Sequence, residues 1–230
     1  LAKALSIETL IDHHSTIMDK YDPEKKIGLI CDEWGTWFTC EPGTNPGFLY
    51  QQSTMRDALV AGLSLNIFNK HCDRVKMANI AQLINVLQAV ILTDGPRMLR
   101  TPTYHVFHMY KYHQDADLVE SYLDGVETIG EEEEYMVPSL QESVSIDKEG
   151  ILTITLNNLS VDKDEPVEIS FAECQTKEVT AAILNNEMHA YNTFEDPDKV
   201  HEEVFSNYTV ENGMIRFTMP ASSVVQFRVR

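Results

Sequence analysis

No run of eighteen apolar residues occurs anywhere in this 230-residue chain, so no segment reads as a membrane-spanning helix. Cysteine is scarce: Cys31, Cys40, Cys72 and Cys174, with no C-x-x-C spacing. All four are expected to be free thiols, Cys31 acting as a small hydrophobe in an apolar strand, and no metal site follows from them. Positive charge is also short, with 18 Lys and Arg against 36 Asp and Glu. The deficit is local: residues 1–114 carry eleven side chains of each sign, leaving 25 acidic against 7 basic in 115–230. Such a field repels phosphates and anionic lipid, so neither nucleic acid nor a membrane surface is an expected partner, whereas a neutral polysaccharide is unaffected. Nothing in the composition distinguishes a cytoplasmic from a periplasmic or secreted protein.

What is present divides into two patterns. Leu5, Ile7, Leu10, Ile11, His14, Ile17 and Met18 recur at three- and four-residue steps, predicting an amphipathic helix that ends before Asp22-Pro23. A strand over 27–32, a long helix from Phe48 to Lys70, a strand from Val75 to Ile80, a turn at Thr93-Asp94-Gly95-Pro96 and a helix from Tyr104 to His113 complete the first part. Strands alternating with helices are the grammar of a (β/α) barrel. Beyond Glu131–Glu134, which reads as a charged loop, the period becomes two. Runs at 144–146, 151–156, 167–171, 179–184, 214–219 and 224–229 predict an antiparallel β-sandwich. The expected fold class is therefore α+β, with a barrel segment at 1–114 and an all-β accessory domain at 115–230. A complete barrel typically needs about 250 residues, so the first part supplies under half of one. Unpaired strand edges and an apolar inner face predict that such a piece forms homo-oligomers or rearranges.

The residues richest in chemistry are Asp32-Glu33-Trp34-Gly35-Thr36-Trp37, directly after the apolar run 27–31. A carboxylate at the C-terminal end of a parallel strand stands where barrels place catalytic groups. Beside indole faces it suits an oxocarbenium-like glycosyl transition state. Adjacent strand residues point to opposite faces, so Asp32 and Glu33 share one only if a bulge intervenes.

Further stretches follow: Gly43-Thr44-Asn45-Pro46-Gly47-Phe48-Leu49-Tyr50-Gln51-Gln52, Met55-Arg56-Asp57-Ala58, Leu65-Asn66-Ile67-Phe68-Asn69, Met77 to Gln82, Asn85 to Gln88, and Pro102-Thr103-Tyr104-His105-Val106-Phe107. Together with Asp32 to Trp37 these closely resemble the α-L-arabinofuranosidases of glycoside hydrolase family 51, with a weaker match at Ala190 to Pro197. The resemblance implies that the chain is the C-terminal portion of a longer retaining enzyme acting on arabinofuranosyl-containing polysaccharides or oligosaccharides. By that match Glu33 is the nucleophile, Trp37 packs against sugar and Gln88 hydrogen-bonds it. Asp32 is left a supporting role and Trp34 packing. No cofactor is implied.

The general acid and base is missing from the pattern. In the family that Glu follows an Asn upstream of the nucleophile, and residues 1–32 contain no Asn. Asn186-Glu187-Met188 imitates the motif, but it falls in the β-rich part and reads as a decoy, so the isolated chain is expected to be inactive. His105, His108 and His71 near Asp73 have no clear third ligand, so no metal is expected. Asn207-Tyr208-Thr209 is a glycosylation sequon only in a eukaryotic secretory setting. The competing expectation is a non-catalytic carbohydrate-binding or interaction module, which would present a flat row of aromatics drawn from Tyr191, Phe194, Phe205 and Tyr208.

Overall fold

The structure, a computed structural model, describes residues 1–172 and 178–230, so Cys174 lies outside the described residues. The first part runs α1 (Ala2–Asp19), β1 (Leu29–Trp34), α2 (Met55–Lys70), β2 (Val75–Ile80), the hairpin β3 (Ile91–Asp94) and β4 (Arg97–Arg100), and α3 (Pro102–Tyr110). β1 and β2 pair in parallel with α2 as their crossover, which is the βαβ unit of a barrel wall. The α1–β1 connection is tied down by Arg74, a fully buried guanidinium. It pairs with Asp19 and Asp22 and donates to the backbone oxygens of Asp22 and Ile27.

The expected helix from Phe48 to Lys70 is shorter than its apolar spacing suggests. Pro46–Phe48 is a single 3-10 turn, closed by Leu49 in the left-handed region at φ 52°. Residues 49–54 are then held by backbone bonds from Glu41 and Leu87 and by the side-chain bonds of Gln51, Ser53 and Thr54, not by helical ones. Helix α2 starts where Thr54 serves as N-cap and the Asp57 carboxylate reaches back to the Thr54 N–H at 2.8 Å, a signature of helix entry. The predicted turn at 93–96 is the tip of the β3–β4 hairpin, and the α3 helix ends at Tyr110, followed by a 3-10 turn at Lys111–His113.

The second part comprises β5 (Asp117–Leu118), β6 (Thr128–Ile129), β7 (Val137–Pro138), β8 (Leu140–Ile146), β9 (Leu152–Asn158), β10 (Glu165–Ile169), β11 (Val179–Asn185), β12 (Glu203–Val204), β13 (Tyr208–Glu211), β14 (Met214–Met219) and β15 (Ser223–Val229). Among the described residues two antiparallel sheets dominate, in the orders β12-β11-β15-β9-β8-β5 and β10-β14-β13. Between them lies an apolar core of Leu140, Ile154, Leu156, Ile215 and Met219 with Phe205, Phe217 and Phe227 in edge and tilted contact.

The strand β9 is buried at every position. Its apolar residues enter the sandwich core, while Thr155 and Asn157 lie against the barrel helices. There Asn66 of α2 bonds Gln141, Ser143 and Thr155, Lys70 pairs with Glu142, and Asn157 donates to the Tyr110 hydroxyl. Gly62 of α2 is required at this contact, because a Cβ there would stand 2.3 Å from Asn157 Oδ1. A second apolar core runs across the junction, joining Trp34, Leu59, Leu63 and Val106 to Leu159, Leu184 and Val224. The two parts thus share buried surface rather than meeting at a solvated seam.

Candidate active site

Leu29 and Cys31 pack towards the helices, and Trp34, three residues after Cys31, does the same. A regular strand cannot put residues of opposite parity on one face; a register shift in the β1–β2 pairing between Cys31 and Trp34 accounts for it. The irregularity falls at Asp32-Glu33, and both carboxylates are exposed. Among the described residues no ion pair or hydrogen bond occupies the Glu33 carboxylate. Its backbone oxygen accepts from the Cys31 thiol, and burial pushes that thiol's pKa up. Trp34 is the inward anchor, edge-on to Phe68 at 5.4 Å and stacked on Phe107 at 6.0 Å.

The chain leaves β1 through Gly35, whose φ of +135° suits glycine. It is then held at Thr36 by every polar atom of that residue. The Thr36 N–H donates to Gln88 Oε1 at 2.9 Å and its hydroxyl to Asp57 Oδ1 at 2.6 Å. Its carbonyl and hydroxyl oxygens accept from Gln51 Nε2 at 3.3 and 3.1 Å. Gln51 also receives the Phe38 N–H at 2.8 Å. Asp57, Gln88 and Gln51 are all buried. Between the fixed positions 36 and 38, Trp37 projects outward with 68% of its surface exposed.

Gln88 is one of the groups that hold this turn. Its side chain is fully buried, and both amide hydrogens are committed, to the Asp57 carbonyl oxygen at 2.7 Å and to Thr103 Oγ1 at 3.1 Å. Gln88 therefore holds the loop between Glu33 and Trp37. Thr36, Gln51 and Asp57 were not singled out by sequence reading; the Thr54-x-x-Asp57 spacing is the one local signal that points to any of them.

Asn186 and Glu187 follow β11 in a loop that caps α2: the N–H groups of Met55 and Arg56 donate to the carbonyls of Ala190 and Met188, and Asn186 Nδ2 donates to Lys199 O. The aromatic row does not form. Phe205 is a core residue, Tyr208 bonds Val179 O and packs edge-on to Phe227, Tyr191 bridges to Thr54, and Phe194 lies under Arg97. Cys31, Cys40 and Cys72 are free thiols. Among the described residues no group of three His, Cys, Asp or Glu is placed to hold a metal ion. His71 faces Glu8 and Asp12, and His108 faces Glu202.

A family model described as the alpha-L-arabinofuranosidase C-terminal domain matches residues 32–223. The chain belongs to this family. An intracellular exo-alpha-L-arabinofuranosidase of Bacteroides ovatus is 42% identical over 231 residues, covering 100% of this chain and 45% of that protein. Among solved structures, the GH51 arabinofuranosidase from Xanthomonas axonopodis pv. citri is 42% identical with a TM-score of 0.95, over 100% of this chain and 46% of that one. A family 51 alpha-L-arabinofuranosidase from Bifidobacterium longum shares the fold at 24% identity and a TM-score of 0.86, over 100% of this chain and 48% of that one. The resemblance to glycoside hydrolase family 51 is thereby borne out, as is the expected pairing of a barrel segment with a sandwich. The chain spans under half the length of these arabinofuranosidases.

Proposed function

We propose that this chain carries the nucleophile, Glu33, and the accessory sandwich of a retaining, exo-acting α-L-arabinofuranosidase. The observation that carries the reading is the exposed, unpaired Glu33 carboxylate at the β1 irregularity, beside an outward indole at Trp37, in a chain of this family. In the reaction a Glu33 oxygen attacks the anomeric carbon of a terminal arabinofuranosyl unit while a general acid protonates the departing oxygen. The resulting glycosyl ester is hydrolysed by water with net retention. Trp37 offers the sugar an apolar face, and Gln88 acts through the Gly35-Thr36 turn it holds.

The general acid is not supplied by Glu187, whose loop is engaged in capping α2. A missing acid alone typically costs about 10² to 10⁴ in rate, so the isolated chain is inactive. The barrel segment occupies 1–114 and the sandwich 115–230, a division supported by the end of the 3-10 turn at His113 and the entry of β5 at Asp117 into the large sheet. Arabinofuranosyl-containing polysaccharides or oligosaccharides are the substrates, and nucleic acid and membranes are not partners; the isolated segment, with Ile30 and Met77 exposed on the face of β1 and β2 turned away from the helices, forms homo-oligomers. The test is to follow hydrolysis of an aryl arabinofuranoside by the full-length enzyme with proton NMR. First-formed arabinose with the substrate's anomeric configuration supports the reading, and the opposite anomer overturns it.

A further inference from the structure

A cavity of about 640 Å³ opens beside the candidate active site, lined in part by Phe48, Tyr50, Phe194, Gln82, Asn85 and Thr93. Its size lies within the ~300–1,000 Å³ typical of small-molecule sites. The lining contains no charged side chain, although the chain as a whole carries a net charge of -18. The floor is a small core of its own, Ala89, Leu92 and Leu99, against which Tyr50 and Phe194 pack. Arg97 lies over the Phe194 ring at 4.5 Å and holds it in place.

The rim is both aromatic and rigid. Phe48 is 69% exposed, yet it sits in a 3-10 turn capped by Asn45, whose side chain accepts from the Gly47 N–H at 2.9 Å. The next residue, Leu49, adopts φ 52° and accepts from the N–H of Leu87, itself at φ 52°. Non-glycine residues are uncommon in this region, and those that occur cluster at active sites and ligand clamps. The cavity also has a defined relation to Glu33. Gln82 on its wall follows Ala81, whose N–H donates at 2.8 Å to the carbonyl of Trp34, the residue after Glu33. Cavity and nucleophile therefore open at the same end of the β1–β2 pair.

We propose that this cavity binds the neutral oligosaccharide chain to which the scissile arabinofuranosyl unit is attached, with the Phe48 ring under a sugar face and the Gln82 amide, exposed and unpaired among the described residues, bonding ring hydroxyls. An uncharged lining in an acidic protein favours an uncharged ligand, and an exposed ring matches the C–H faces of pentoses. The assignment rests on the arabinofuranosidase reading only for the direction from which the chain arrives.

The test uses the full-length enzyme with Phe48→Ala and Phe48→Tyr. In the alanine variant, the ratio of kcat/KM for arabinopentaose to that for an aryl arabinofuranoside is expected to fall about tenfold, or ~1.4 kcal/mol; Phe48→Tyr should restore it. An unchanged ratio overturns the proposal. So does a change of oligomeric mass in Phe48→Ala measured by light scattering, which would assign the cavity to a second copy. Binding separates this outcome from failure of the functional reading. In labelled protein carrying Glu33→Gln, addition of arabinopentaose or xylopentaose should shift the amide resonances of Phe48, Gln82 and Asn85 whether or not the enzyme cleaves arabinosides. No shift with either sugar overturns the site.

Discussion

The geometry of Glu33 depends on a residue three positions later. Thr36 has its N–H, hydroxyl and carbonyl engaged by Gln88, Asp57 and Gln51, so the turn that carries Glu33 on one side and Trp37 on the other has little freedom. Removing only the hydroxyl leaves a buried Asp57 oxygen without its donor, a loss worth about 1–3 kcal/mol. Thr36→Val is accordingly expected to lower unfolding stability by that amount and to speed the depolarisation of Trp37 fluorescence, while Thr36→Ser keeps both near the parent values. Equal behaviour of the two variants would show that the hydroxyl bond does not hold the turn. Gln88 belongs to the same scale. Its match to a family position was legible in the sequence; its burial was not, because side-chain direction at a loop position has no periodic signature.

At the scale of elements, α3 and the 3-10 turn after it dock two histidines that titrate abnormally. His105 is buried with neither ring nitrogen bonded, and desolvation brings its pKa down to about 4, against the partly opposing charge of Glu202 and with help from Arg100. His113, bonded to Ser145 and Thr155 of the sandwich, is likewise lowered to about 4 by burial and then by Arg228. Both pKa values lie below the ordinary 6.5, so the folded state favours the neutral rings. Their contribution is complete above pH 6.5 and is lost as pH falls towards 4, on the order of 3 kcal/mol for each. Denaturant unfolding between pH 7 and 4 should show this slope, reduced in His113→Gln; a flat profile would contradict the burial of neutral rings. The longer sandwich strands β8, β9, β10, β11, β14 and β15 were legible from their apolar runs and alternation, and β2 from its apolar spacing, whereas β5, β12 and β13, two to four residues long, are too short to show a period. The start of α2 was not, since the buried polar residues Gln51, Ser53 and Thr54 are placed by side-chain bonds that spacing does not report. The β3–β4 hairpin was visible only as its turn, because Arg97 and Arg100 break the apolar pattern on an exposed ladder.

At the scale of the molecule, the sandwich and the barrel segment share an apolar core and a buried polar contact centred on Asn66, so the sandwich buttresses the wall that carries Glu33. The acidic excess lies in the sandwich half, away from the balanced half that holds the candidate site. The central claim is that Glu33 forms the covalent bond to sugar. Its most direct test is to inactivate the full-length enzyme with a fluorinated arabinofuranosyl donor that traps the glycosyl ester, digest it, and map the added mass. Attachment at Glu33, with labelling abolished in a folded Glu33→Ala variant, is the predicted result. Full labelling at another carboxylate, or labelling that survives in Glu33→Ala, would contradict the account.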